Sequence, residues 1–214
     1  MAKQADRYAA LRTRLVDAAE RTIAQRGLAA LKARDLAAEA GCAIGTIYNV
    51  FEHLDELVLC VGSRTLTMLD TALAAARSPD CDGSTEATAA ELVRLAYAYL
   101  EFAASHTIRW RALFEHRTAP DRPMPEWFLE QLRLLFEQLE QPLAALLPEF
   151  EHRARRIFAR TIFSAVHGIV ALGLEEKLVS LPMPELRTQL AATVRAIVAG
   201  RAELRSAAHT SLRS

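Results

Sequence analysis

Lys32, Arg34, Thr46, Tyr48 and Asn49 fall close together in the sequence. Two are cations, two carry hydroxyls and one carries an amide. Such a set suits non-covalent recognition. It can donate to phosphate oxygens and read the edges of bases. That work requires a rigid surface, and the surrounding stretch, LKARDLAAEAGCAIGTIYNVF from Leu31 to Phe51, predicts one. Ala37 is small enough for a second helix to cross close by. Gly41 can take the positive φ of a sharp helix exit. Ile44 to Val50 forms the second helix, and Leu36, Ala40, Ile47 and Phe51 turn inward together. The result is a helix-turn-helix, whose second helix can lie in a DNA major groove.

The rest of the 214-residue chain must carry that element. Its composition is 51% hydrophobic and 24% charged. Ala and Leu are abundant and strand-like alternation is scarce, so the expected class is all-α. Net charge is zero and gives no global signal for nucleic acid. Residues 1–51 carry eight basic against five acidic side chains, a local excess that an ordinary solvated surface explains equally well. The three cysteines, Cys42, Cys60 and Cys81, form no C-x-x-C pair. This predicts neither a disulfide framework nor structural zinc, and a reducing, cytoplasmic setting. No signal core follows the N-terminal basic residues. The longest uncharged apolar run, Thr161 to Leu174, is too short to span a bilayer, so no membrane role is expected.

Taken in order, Leu11, Leu15, Ala19 and Ile23 make a helical stripe closed by Gly27. The helix-turn-helix follows. A long fourth helix begins near Leu54, with Asp55 and Glu56 in its first turn, and has no breaker except Gly62 before Ser78-Pro79. Ser84 or Thr85 can cap a helix running to about Ser105. A short helix covers Ile108 to Arg117, and a Pro-rich loop covers Ala119 to Pro125. The next helix starts at Glu126 and is expected to kink or end at Pro142. Pro148 is expected to open a helix reaching about Glu176. Pro182 and Pro184 bracket a loop, and the last helix spans Glu185 to about Leu204. The expected layout is a DNA-binding head at 1–53, a helical ligand-binding and dimerisation domain at 54–208, and a flexible tail at 209–214, with about nine helices.

The runs LVDAAERTIAQRG, LKARDLAAEAG and GTIYNVF resemble the head of the TetR family of bacterial transcriptional regulators over roughly Arg12 to Leu73. The resemblance implies a homodimer whose recognition helices enter successive major grooves of a palindromic double-stranded operator. In that setting Gly45 lets the backbone approach DNA, and Thr46 bonds a phosphate or a base. The Tyr48 hydroxyl meets a phosphate, Asn49 reads an adenine edge, and Lys32 and Arg34 anchor phosphates. Ile44 offers only apolar contact, for example to a thymine methyl. The chain departs from the family where Lys32 and Ala43 stand in place of helix-capping hydroxyl residues. It departs again at Leu54, in place of a phosphate-binding Lys that His53 partly replaces.

In the second domain, Tyr97, Phe102, His106, Trp110, Phe114, Trp127, Phe163 and His167 are the candidates for lining an apolar effector pocket. A solid aromatic core is the alternative. Trp110 and His167-Gly168 resemble a C-terminal domain type of the family marked by a Trp and a later His-Gly. Ile157, Val166, Ile169 and Val170 on one helix, and Leu190, Val194, Ile197 and Val198 on the last, are the candidates for a four-helix dimer interface.

The expected function is a homodimeric repressor released by a small, hydrophobic or aromatic effector. No catalytic residue, metal site or cofactor is implied, because the chain lacks a phosphate-binding Gly-rich loop, a G-x-S-x-G elbow and a His/Cys metal set. The rival readings are a helical interaction module without DNA, an activator, and a regulator needing its ligand as co-repressor.

Overall fold

The computed structural model describes residues 2–78, 83–118, 122–175 and 181–201. The expected tail at 209–214, the last residues of the expected final helix, Cys81, and parts of the loops at 78–85 and 119–125 lie outside the described residues. The described chain is all-helical: α1 (Ala2–Arg26), α2 (Ala33–Ala40), α3 (Ile44–Val50), α4 (Leu54–Ala76), α5 (Thr85–Ser105), α6 (Thr107–Glu115), α7 (Glu126–Leu146), α8 (His152–Gly173) and α9 (Met183–Ala199). A 3-10 turn at Leu28–Ala30, which the sequence pattern did not signal, links α1 to α2.

The helices build two compact units, each made of segments distant in sequence. The first takes residues 1–68 and 105–131, and the second takes residues 69–104 and 132–214. The expected single cut after residue 53 is therefore not where the chain divides. The first part of α4, α6 and the first turns of α7 belong with the head.

In the first unit, the stripe on α1 buries Leu11, Leu15, Ala19 and Ile23 against Leu36, Ala37 and Ala40 of α2 and Ile47 of α3. Phe51, Leu57, Val61 and Ala112 complete the same core. An ionic network borders it. Arg64 donates to Asp17 at 2.6 Å and to Glu20 at 2.5 Å, and Arg109 donates to Glu20 at 2.6 Å. Burial alone would raise the Glu20 carboxyl pKa. The hydrogen bonds and charges of Arg64 and Arg109 outweigh it and hold the group below its ordinary value. The network's contribution is thus complete above the unfolded-state value near 4.5 and is lost as pH falls through the lower folded-state value. Glu20→Gln is expected to remove this dependence. In urea unfolding, the stability gap between wild type and variant should narrow steadily below about pH 4.5, and a gap that stays constant would exclude the role.

In the second unit, α8 and α9 pack on each other, and Ile162, Val166 and Val170 of α8 and Leu186, Leu190, Val194 and Val198 of α9 are all buried. Close approach occurs at Gly173, where a Cβ would lie 2.5 Å from Leu186 Cδ1. Ser84 caps α5, its Oγ accepting the Ala87 N–H at 3.1 Å. Glu91 of α5 is 1% exposed and accepts the Ser78 N–H, at 3.1 Å to Oε2. The same carboxylate accepts from Arg94 at 3.0 Å and lies 3.6 Å from Arg77.

Three prolines bear on the expected helix ends. Pro142 lies inside α7 and does not end it. The helix continues because Leu143 and Leu147 beyond it are fully buried; together they contribute about as much as the ~3 kcal/mol an interior proline costs. Pro148 does not open α8. It starts a short turn in which the Phe150 N–H reaches the Leu147 carbonyl at 3.1 Å. Arg155 then ties the turn by donating to the Phe150 carbonyl at 2.7 Å, and α8 begins at His152. Similarly, Pro184 lies in the first turn of α9 and not in a loop.

By length and composition, α4 and α8 would suffice to cross a membrane, although the uncharged run read from the sequence was too short. Both carry charged side chains, Arg64 on α4 and Arg153, Arg155 and Arg156 on α8, and both bury one side in helix packing.

Candidate nucleic-acid interface

The turn between α2 and α3 is set by Gly41, in the left-handed region at φ 65°, ψ 42°. Its N–H bonds the Ala38 carbonyl at 3.3 Å, and the Cys42 N–H bonds the Ala37 carbonyl at 3.0 Å. Together these close α2 in a Schellman motif. The chain leaves through extended Ala43 into α3.

α3 is two-faced. Ile47 is 0% exposed, while Ile44 and Tyr48 on the other side are 45% and 49% exposed. Gly45 and Asn49 are exposed with them and Thr46 is half-buried. Among the described residues, the Thr46 and Tyr48 hydroxyls and the Asn49 amide make no hydrogen bond, and Lys32 and Arg34, both exposed, make no ion pair. Leaving two large apolar side chains and these polar groups on one face, with the opposite face fully packed, makes a surface prepared for a partner. His53 is only partly exposed and lies 4.0 Å from Glu52, so an acid stands beside it.

The start of α4 is fixed behind this surface. Glu56 accepts the Glu52 N–H at 3.2 Å and the Arg12 guanidinium at 3.0 Å. Arg12 in turn lies 4.5 Å over the Phe51 ring. This support was not foreseen from the sequence. Arg12 lies off the apolar stripe of α1 and reads there as a surface residue.

Neither Lys32 nor Ala43 gives its helix a side-chain cap. Ala43 has the backbone of an N-cap, with φ −71° and ψ 149°. Ala43→Ser is therefore expected to stabilise the protein by about 1 kcal/mol, read as a raised urea midpoint.

The aromatic candidates divide between the two units. Tyr97, Phe102, Phe163 and His167 fall in the second, and His106, Trp110, Phe114 and Trp127 in the first. In the second unit the organising tyrosine is Tyr99. It is 4% exposed and its hydroxyl shares a 2.8 Å hydrogen bond with His167 Nδ1. Phe163 stacks on His167 and meets Tyr99 and Phe136 edge-on. Burial lowers the His167 pKa and keeps the ring neutral. Tyr97 is turned away, with Arg187 4.3 Å over its ring. Tyr99 was legible in principle, because it shares the buried stripe of Leu92, Leu95, Ala96 and Ala103 while Tyr97 does not. In the first unit Trp110 is buried against Phe114, and Phe114 and Trp127 remain 46% and 44% exposed. His106 forms the N-cap of α6.

Five of the residues expected at a dimer interface are buried within the chain: Val166, Val170, Leu190, Val194 and Val198. Buried within one chain, they leave little surface for a second subunit. Ile169 and Ile197 are half-buried and Ile157 is 54% exposed.

Residues 15–61 match the profile of bacterial regulatory proteins of the tetR family, and residues 92–196 match that of the Tetracyclin repressor-like C-terminal domain. The chain belongs to the TetR family. It is accordingly a transcriptional regulator by fold and not an enzyme. No curated protein gives a significant sequence match. Among solved structures, a protein of unknown function from Rhodococcus sp. RHA1 is 22% identical with TM-score 0.66, over 87% of this chain and 94% of that one. A TetR-family transcriptional regulator from Streptomyces coelicolor is 18% identical with TM-score 0.62, over 94% and 91%. RolR in complex with resorcinol is 20% identical with TM-score 0.62, over 94% of both chains. These likenesses establish the TetR fold across nearly the whole chain.

Proposed function

We propose that this TetR-family protein is a cytoplasmic homodimeric repressor that binds a palindromic operator and releases it when a small hydrophobic or aromatic molecule binds. The observation that carries the DNA reading is α3, packed solid on one face and unpaired on the other. Tyr48 and Thr46 supply phosphate and base contacts, Asn49 an adenine-reading amide, Gly45 room for close approach, and Lys32 and Arg34 the phosphate anchors. Ile44 contributes apolar contact and His53 a weaker charge. The effector reading is supported by two neighbours of the same fold, RolR with resorcinol and the multidrug binding protein EbrR with imidazole.

The dimer surface follows from what α8 leaves uncovered. Ile157, Thr161, Ser164 and Leu172 are exposed at helical spacing, with half-buried Gly168 among them. A Cβ built on Gly168 meets nothing within 4 Å. A second copy of the same face would bury this stripe isologously. Gly168→Glu should therefore fold normally and be monomeric by light scattering, with operator affinity down at least about tenfold, the loss of 1.4 kcal/mol or more. A variant that stays dimeric places the interface elsewhere.

The test of the function is selection of bound duplexes from a random DNA pool at two salt concentrations. Recovery of a palindrome, bound more weakly as salt rises, is the expected result. Failure to enrich any sequence, with and without candidate effectors, would remove the DNA-binding role.

A further inference from the structure

A partly open pocket with a volume of about 50 Å³ lies in the first compact unit. Its wall includes Ile23 of α1, Gly62 and Thr65 of α4, Arg109 of α6, His116 at the end of α6, and Phe128 of α7. Gly62 keeps part of that space open. A Cβ there would stand 3.4 Å from Phe128 and 3.5 Å from Leu113, and glycine inside a helix gives up about 1 kcal/mol relative to alanine.

The polar groups of the wall are spent, with one exception. Arg109 donates to Glu20 at 2.6 Å, and the Thr65 hydroxyl donates to the Val61 carbonyl at 3.2 Å. His116 is 11% exposed, and its Nε2 is buried with no hydrogen-bond partner. The nearest acid, Asp55 Oδ1, is 3.9 Å from Nε2, beyond hydrogen-bonding reach, and that carboxylate is held by Arg122 at 3.0 Å. Burial lowers the His116 pKa, against the pull of Asp55, and leaves a neutral ring. An orphaned buried polar atom beside an apolar pocket is costly until something bonds it.

The geometry points to a ligand site here for a small, neutral, mostly apolar molecule with a single hydroxyl, hydrogen-bonded to His116 Nε2. The volume holds about three to five water-sized atoms, at some 10–15 Å³ each, so a short-chain alcohol is the matching size. A charged molecule finds no counter-ion that is not already paired. The site also reaches the DNA surface. Ile23, Val61 and Ala112 of its wall belong to the same buried core as Ile47 and Phe51, which fix α3. An occupant that displaces them changes how the recognition helix is held. This regulatory part rests on the repressor reading above.

The test uses the full chain, with butan-1-ol as probe and n-butylammonium as the charged control. Imidazole ¹⁵N spectra of His116 and thermal melts report binding, and operator affinity is measured on the same samples. Butan-1-ol should shift the His116 Nε2 resonance saturably and raise Tm, while n-butylammonium does neither. Gly62→Ala, which fills the space and should itself raise Tm, should weaken butan-1-ol binding at least tenfold. His116→Leu should do the same, and His116→Gln, whose amide reaches the Nε2 position, should retain binding within threefold. No saturable binding, or binding that both Gly62→Ala and His116→Leu leave unchanged, overturns the site. Binding at the site with operator affinity altered less than twofold at saturation overturns its regulatory part. Binding at the site by a protein that selects no operator leaves the site standing and overturns the repressor reading instead.

Discussion

Phe51→Ala is expected to destabilise the protein by about 3–5 kcal/mol, a large share of the 5–15 kcal/mol typical of a folded chain. Phe51 is 0% exposed at the C-terminal cap of α3, with Ile47 above it and the Arg12 guanidinium 4.5 Å over its ring. Removing the ring leaves a cavity at the centre of the head and frees Arg12 from its stacked position, so Glu56 and the start of α4 lose their brace as well. Thermal unfolding should fall by roughly 6–20 °C. Operator binding should suffer beyond the loss of folded protein, because α3 is no longer held. Phe51→Leu fills most of the space and should recover more than half of both losses. Equal melting temperatures for wild type and Phe51→Ala would mean that the head core lies elsewhere.

The second large effect is expected at Glu91. Its carboxylate is 1% exposed and gathers the Ser78 N–H, Arg94 and Arg77 around the end of α4. Glu91→Ala leaves the Ser78 N–H without its acceptor and two guanidiniums without their shared anion. The expected cost is about 2–4 kcal/mol, below the upper range for a fully buried pair because both arginines stay in part solvated. Glu91→Gln still offers an oxygen to Ser78 and should cost about half as much. The damage should be local as well as global. Hydrogen exchange of the amides at 74–78, including the Arg77 N–H bonded to the Ala74 carbonyl at 3.3 Å, should accelerate more than that of α9. Uniform acceleration would mean that Glu91 contributes only to bulk stability.

Local signals in the sequence located the elements well, and tertiary ones poorly. The α3 boundaries and the Gly41 turn follow from small residues and a period that depend on near neighbours alone. Pro142 does not end α7 and Pro148 does not open α8, because a proline's penalty is local while the burial of Leu143, Leu147 and Phe150 that overrides it is not. The apolar faces of α8 and α9 were correctly seen as sticky, but hydropathy cannot say whether such a face meets the same chain or another. Val166, Val170, Leu190, Val194 and Val198 meet their own chain. His116 was missed entirely. In the sequence it stands among charged neighbours in FEHR, and only the fold shows its Nε2 buried and unbonded beside a pocket.

The head's core includes Ala112, which the chain supplies only after residues 69–104 have gone to build another unit. The head is thus not a portable cassette. A fragment ending at residue 68 would expose the apolar patch that α6 covers, and a chimera that swaps recognition helices between relatives must carry residues 105–131 across with residues 1–68. The same interleaving orders the folding reaction. The head can collapse early on α1 to α3, yet it becomes complete only when a long intervening loop has closed, an entropic toll that local helix formation does not pay.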